Sequence, residues 1–132
     1  MTIPTIDEST ITLSREIYIS SASSGSGDGT KNNPYIAVNG NLDLLLSSFT
    51  IGESAKVYLN VGNYTITKGI KAPKNFILIG ADKDKTIIKL NDNVSKQNMS
   101  YPHVRMFVDN YWSNLFVIKD LTLDGNWDGQ GV

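Results

Sequence analysis

The sequence predicts an all-β chain that winds in successive coils, and three observations support this prediction. The second half consists of short apolar runs rich in β-branched residues, each closed by Gly, Asn or Asp. Gly62 and Gly80 lie 18 residues apart and each ends a similar apolar segment, as in a chain that turns a corner after each strand. No Asn-Gly or Asp-Gly joins matched strands, except around Asp124-Gly125, where no partner strand follows.

Length and composition restrict the class of protein. The chain has 132 residues, of which 40% are hydrophobic, so it can form one modest domain and is not disordered. Its net charge of -1 gives no general attraction to phosphate backbones, and no nucleic-acid partner is expected. The chain contains no cysteine, which excludes disulfides and thiolate metal sites.

The N-terminal third divides into a leader, a strand, a loop and a helix. Residues 1–15 are predicted to be a flexible leader; they have neither a basic start nor an apolar core, so no signal peptide is seen. Residues 16–20 form a first strand, and residues 21–33 are a loop of Ser, Gly, Asp and Asn. No apolar run approaches the roughly 18 residues of a membrane span, so no membrane partner is expected.

Helical spacing follows this loop. Apolar residues at 42, 45, 46 and 49 predict a short amphipathic helix over residues 42–49, with Asn41 as its N-cap. The apolar side chains expected to pack are Leu45, Leu46 and Phe49.

After Gly52 the apolar period changes to two. Val57, Leu59 and Val61 are predicted to point one way while Lys56, Tyr58 and Asn60 point the other. Farther along, Phe116 and Ile118, then Leu121 and Leu123, repeat this alternation around a Lys119-Asp120 corner, and we expect Leu121 and Leu123 to be structural residues inside the coils. Residues 91–105 are polar and predicted to be an inserted loop. The expected corner glycines are Gly62, Gly80 and Gly125.

The order of these segments resembles a known superfamily. The strand at 17–20, the Gly-rich stretch 25–30, the Asn33-Pro34-Tyr35 turn, the helix and the run 57–66 look like the opening of right-handed parallel β-helix proteins of the pectin-lyase-like superfamily. Residues 76–81, 86–88 and 121–126 resemble the first coils of such proteins.

The resemblance implies an all-β, right-handed parallel β-helix in which the short helix caps the N-terminal end. A cap is needed there because the first coil would otherwise expose its backbone edge. Residues 16–132 would then be the N-terminal cap and first coils of a solenoid that is incomplete in this chain. Catalytic residues of such proteins usually lie on later coils, so none can be assigned here.

The acidic residues of the C-terminal third form one candidate site. Asp109, Asp120, Asp124 and Asp128 could serve acid/base glycoside chemistry, or bind calcium if the protein is lyase-like; otherwise no cofactor or metal is expected. The alternative is that Asp closes turns by bonding its own backbone, which explains Asp124-Gly125-Asn126 well.

Aromatic residues near turns form a second candidate site. Tyr111, Trp112 and Trp127 could stack on sugar rings and so bind carbohydrate, or could pack beneath the inserted loop.

Other features favour structural interpretations. His103 lies in the polar insertion, where an exposed loop histidine is expected. The Gly25–Thr30 stretch superficially resembles a phosphate-binding loop but lacks the Lys that follows the final Gly in the Walker pattern. Six lysines between positions 68 and 89 are interrupted by Asp82 and Asp84 and predict a solvated rim, although an acidic polysaccharide would suit them.

Three readings of function remain at this point. The first is the N-terminal part of a polysaccharide-degrading lyase or hydrolase of phage tail-spike type, extracellular or virion-associated, with this chain alone inactive. The second is a non-enzymatic structural or adhesion module, such as a spacer or a homotrimeric shaft. The third is an unrelated β-sandwich, which requires antiparallel strands. Polysaccharide is the partner expected from the first.

Overall fold

The computed structural model describes residues 15–48, 54–92, 106–109, 115–126 and 128–130, most of them in strands. One α-helix, α1 (Leu42–Ser47), and a 3-10 helix (Asp128–Gln130) lie within these ranges. The strands are β1 (Glu16–Ala22), β2 (Tyr35–Val38), β3 (Ser54–Leu59), β4 (Gly62–Ile66), β5 (Ile70–Ala72), β6 (Asn75–Gly80), β7 (Thr86–Leu90), β8 (Phe107–Asp109), β9 (Leu115–Lys119) and β10 (Thr122–Asp124).

The strands form three parallel sheets. The first has the order β2-β1-β3-β6-β9, the second β4-β7-β10 and the third β5-β8. Strands β1, β2 and β3 all lie in the first sheet. From β3 onward, strands that are consecutive in the chain lie in different sheets, and the two series β3-β4-β5 and β6-β7-β8 each add one strand to each sheet. Every strand pair in the described ranges is parallel. This confirms an all-β chain that winds in coils, and the β-sandwich reading is wrong.

The coil repeat differs from the predicted spacing of glycines. Ser54 pairs with Asn75, which is one coil of 21 residues, and Gly62 pairs with Thr86, which is one of 24. Gly62 begins β4 whereas Gly80 ends β6. The two glycines are therefore not equivalent, and their spacing of 18 residues is not the structural repeat.

In-register columns of apolar side chains fill the interior. Ile17, Val57 and Leu78 are aligned on successive strands of the first sheet, and each is at most 1% exposed. The interior also holds Tyr64, whose hydroxyl donates to the carbonyl oxygens of Ile19 and Asn60 at 3.2 and 2.9 Å. Burial raises the pKa of this phenol far above its ordinary value.

Three predicted interior positions are exposed instead. Phe116 is 43% and Leu123 45% exposed, although they align with buried Phe76 and Ile88. The reason is that β9 and β10 are the last strands of their sheets in the described part of the chain, with a neighbour on one side only. Leu121 is partly buried against the core, as expected. Val61 is 53% exposed because β3 ends at Leu59, which leaves Val61 in the corner.

Helix α1 ends earlier than predicted. Leu42 and Leu46 are buried, and Leu45 packs partly against the core; Phe49 lies outside the described residues. Asn41 occupies the N-cap position, but its side chain makes no capping bond and its Oδ1 is buried without a partner.

Several elements were not predicted from the sequence. A turn at Asn39-Gly40, with positive φ angles of 54° and 78°, precedes the helix. Strands β2, β5 and β8 were not predicted either.

Candidate functional site

The predicted sugar-binding aromatics are not part of the described structure. Tyr111, Trp112 and Trp127, as well as His103, lie outside the described residues. Their roles therefore stay predictions, and any site built on the geometry of this chain must use other residues.

Of the predicted acidic residues, Asp124 is explained by a turn. No group of three or more His, Cys, Asp or Glu side chains arranged to hold a metal occurs in the described ranges. Asp124 Oδ1 accepts the backbone N–H of Asn126 at 2.8 Å, which confirms the predicted turn. The left-handed conformation in this turn belongs to Asn126, with φ 51°. Gly125 is not the residue that requires glycine, since a Cβ there would meet no atom within 4 Å.

Polar groups of the Gly-rich loop, residues 23–34, form hydrogen bonds within the loop. Asp28 Oδ1 accepts the N–H and the hydroxyl of Thr30 at 3.0 and 2.6 Å, and these bonds hold the pKa of the carboxyl below its usual range. The N–H groups of Asp28 and Gly29 both donate to the carbonyl of Asn33. Because these two donors already have acceptors, they cannot cradle a phosphate, which favours the structural interpretation of the loop.

An open cleft of about 280 Å³ lies between this loop and the start of β1. The loop is joined to β1 by a bond from the N–H of Tyr18 to the carbonyl of Gly29, at 2.8 Å. The side chains that give the cleft its chemistry are those of Arg15, Glu16, Tyr18, Asp28, Lys31 and Tyr35. Aromatic, cationic and anionic groups thus meet at the N-terminal edge of the first sheet.

A tyrosine pair continues from this cleft along the outer face of the sheet. The in-register rings of Tyr18 and Tyr58 are stacked with their centroids 4.6 Å apart and an interplanar angle of 14°. Lys56 Nζ lies 5.3 Å from the centroid of Tyr58, within cation–π range. Partial desolvation, then the proximity of Tyr58 and Glu16, raises the pKa of Tyr18.

Sequence reasoning placed Tyr58 on the outer face but missed this pair. The alternation in Glu16-Ile17-Tyr18 and Lys56-Val57-Tyr58 is the signal that both tyrosines share a face. Their juxtaposition required the register between β1 and β3, which the sequence did not supply.

The lysine-rich stretch is a solvated rim where it is described. Lys68, Lys74, Lys83, Lys85 and Lys89 are all exposed. Asp82 closes the corner among them by accepting hydrogen bonds from the N–H groups of Asp84 and Lys85 at 2.8 and 3.1 Å.

In the described part of the chain, no helix is long and apolar enough to cross a membrane.

Comparison with known proteins gives two kinds of match. Residues 22–127 match the family described as rhamnogalacturonase A/epimerase, pectate lyase-like. The chain is also 35% identical over 78 residues to the preneck appendage protein of Bacillus phage PZA and to the pre-neck appendage protein of Bacillus phage phi29. These 78 residues are 58% of this chain but 9% of each relative. No solved structure matches it significantly.

Proposed function

Because the chain belongs to the rhamnogalacturonase A/epimerase, pectate lyase-like family, we propose that it forms the N-terminal part of a carbohydrate-directed, virion-associated β-helix protein. The observation that carries this proposal is the combination of parallel coils with a sequence similar to two phage appendage proteins. A surface appendage of a virion is exposed to the outer polysaccharides of its host. A virion-associated location therefore supports a polysaccharide as the proposed partner.

We assign this chain the role of cap and first coils. Leu42 and Leu46 of α1 are buried, and Asp43 accepts the N–H and hydroxyl of Thr67 at 2.9 and 2.7 Å, so the helix is fixed to the residue that follows β4. This attachment supports α1 as the cap of the interior. The strong preference of parallel crossovers for the right hand supports right-handed coils as part of this proposal.

Degradation of the polysaccharide would belong to a longer protein. The aligned residues are a small part of each phage relative, and the described residues hold no group of three or more His, Cys, Asp or Glu side chains that could bind a metal ion. This chain by itself is then inactive, and the reaction, whether lyase or hydrolase, takes place on later coils.

The test uses the full-length protein encoded by the reading frame of this chain, with the 132-residue chain as the matched control. Each is incubated with polysaccharides from the host surface, and absorbance of unsaturated uronides and release of reducing ends are followed. A product from the full-length protein but not from the 132-residue chain supports the proposal. A product from the chain alone contradicts our placement of the active site.

The second candidate function is a structural or adhesion module in the virion, in which the coils form a spacer or the shaft of a homotrimer. The word "appendage" in the names of both relatives is the specific observation that favours it. Light scattering of the full-length protein, combined with polysaccharide binding without cleavage, distinguishes this module from an enzyme. A trimer that binds without releasing product would select it.

A further inference from the structure

The cleft beside β1 exists because the first sheet is incomplete at its N-terminal edge. Strand β2 pairs with β1 only from the Ile19–Tyr35 pair onward, so residues 16–18 have no strand on that side. The Gly-rich loop replaces the missing strand with one bond, from the Tyr18 N–H to the Gly29 carbonyl. A loop follows the sheet edge less closely than a strand, and the gap between them is the cleft.

Two tyrosines of this cleft are held in place by their neighbours. The ring of Tyr35 lies directly over Gly29, where an added Cβ would approach its Cδ2 to 2.7 Å, and its hydroxyl accepts a bond from Arg15 at 3.2 Å. Tyr18 is held by stacking on Tyr58. Fixed aromatic rings with hydrogen-bonding groups around them are a pre-formed binding surface that needs little ordering on association.

The charges of the cleft are balanced. Arg15 and Lys31 contribute two cations, and Glu16 and Asp28 contribute two anions. Because two cations and two anions line the same cleft, their charges sum to about zero and give no net attraction for an anionic ligand, yet they offer donors and acceptors to a ligand rich in hydroxyl groups. Its volume of about 280 Å³ suits a ligand the size of one or two sugar rings.

We propose that this cleft binds one terminal unit of a neutral saccharide, with Tyr18 against its apolar face and the charged side chains around its hydroxyl groups. This inference rests on the proposed carbohydrate-directed function and adds a binding subsite on the N-terminal coil. The subsite holds the polysaccharide and performs no chemistry, in keeping with the proposal that the reaction takes place on later coils.

The experiment is a titration of the ¹⁵N-labelled 132-residue chain with neutral and uronic oligosaccharides, followed by amide chemical shifts. For a neutral oligosaccharide we expect a dissociation constant in the millimolar range and shifts that concentrate at residues 15–18, 28–31 and 35. Tyr18→Ala should weaken binding at least tenfold, whereas Tyr18→Phe should bind like the wild type.

Two further variants keep the test decisive. Lys31→Ala, at an exposed position of the loop, should weaken binding about threefold, and Lys89→Ala, at an exposed position of β7 away from the cleft, is the matched control and should bind like the wild type. Tighter binding of the uronic than of the neutral oligosaccharide, or wild-type affinity in both Tyr18→Ala and Lys31→Ala, overturns the subsite.

Failure of the subsite and failure of the proposed function are distinguishable. If no saccharide shifts the cleft amides while the full-length protein binds or cleaves host polysaccharide, the subsite is wrong and the function stands. If the full-length protein also ignores every host polysaccharide, both are overturned.

Discussion

The last described strands of the first two sheets, β9 and β10, form what we call the open rung of the coil stack, and the strands before them form the covered rungs. The open and covered rungs carry the same kinds of side chain but differ in burial. In the second sheet, Tyr64, Ile88 and Leu123 occupy one column; Tyr64 and Ile88 are fully buried, and Leu123 is 45% exposed. In the first sheet, buried Phe76 aligns with Phe116, which is 43% exposed. The alternation of side chains along a strand determines whether a side chain points inward, whereas the presence of a further strand beside it determines whether that side chain is buried.

The largest expected effect comes from a charge introduced at two levels of one column. Ile88→Asp should unfold the domain, because an unpaired carboxylate at this fully buried position, between Tyr64 and Leu123, costs on the order of 4 kcal/mol or more. Leu123→Asp, in the same column on the open rung, should cost about 1 kcal/mol or less, since its carboxylate can stay hydrated. Urea unfolding followed by circular dichroism measures both.

Equal destabilisation by the two substitutions would contradict the comparison, because it would mean that Leu123 is as dry as Ile88. Ile88→Val is the matched control for the buried site, since it removes one methylene without adding charge and should cost about 1 kcal/mol.

This contrast also shows what the sequence could predict. The segments 76–81 and 86–88 correspond to β6 and β7 to within two residues at each end, because a short apolar run between polar corners determines a strand locally. Burial of Leu123 was predicted incorrectly, since it depends on a neighbour one coil away. Strands β5 and β8, at three residues each, are too short to show a period.

The candidate site was harder to predict than the fold. The structural interpretation of Asp124 followed from turn chemistry and is confirmed. The cleft depends on where the Gly-rich loop meets β1, and the tyrosine pair depends on strand register. Neither is determined by residues that are close in sequence, so no local pattern could indicate them.

The next prediction concerns the contact between a covered and an open rung. A Cβ on Gly80 would meet the carbonyl oxygen of Asp120 and approach Leu121 Cβ to 2.7 Å, so Gly80→Ala should separate the final corner from β6. The expected cost is about 1–3 kcal/mol, measured by thermal unfolding. Gly125→Ala, where an added Cβ meets nothing within 4 Å, is its control and should change stability by less than about 0.5 kcal/mol. A loss of stability from Gly80→Ala as small as that from Gly125→Ala would show that the corner can move freely.

A smaller effect is expected where α1 meets the covered end. Asp43→Ala removes the acceptor of both bonds from Thr67 and should destabilise the domain by about 1–2 kcal/mol. Thr67→Val removes only the hydroxyl donor and should cost less, because its N–H can still reach Asp43. Chemical unfolding of both variants tests the attachment, and no loss for Asp43→Ala would count against α1 as a cap.

The smallest expected effect is the response of the Gly-rich loop to acid. The folded-state pKa of Asp28 lies below its ordinary value of 3.8, first because of the Thr30 hydroxyl bond and then the Thr30 N–H bond. The stabilising effect of these bonds is therefore fully present above about pH 4 and is lost as pH falls through the depressed folded-state pKa. The Thr30 amide shift, followed by NMR from pH 6 to 2, should titrate with that pKa. In Asp28→Asn the titration at Thr30 should vanish. Persistence of an identical Thr30 titration in that variant would assign it to another carboxylate and would show that the loop beside the cleft is not held by Asp28.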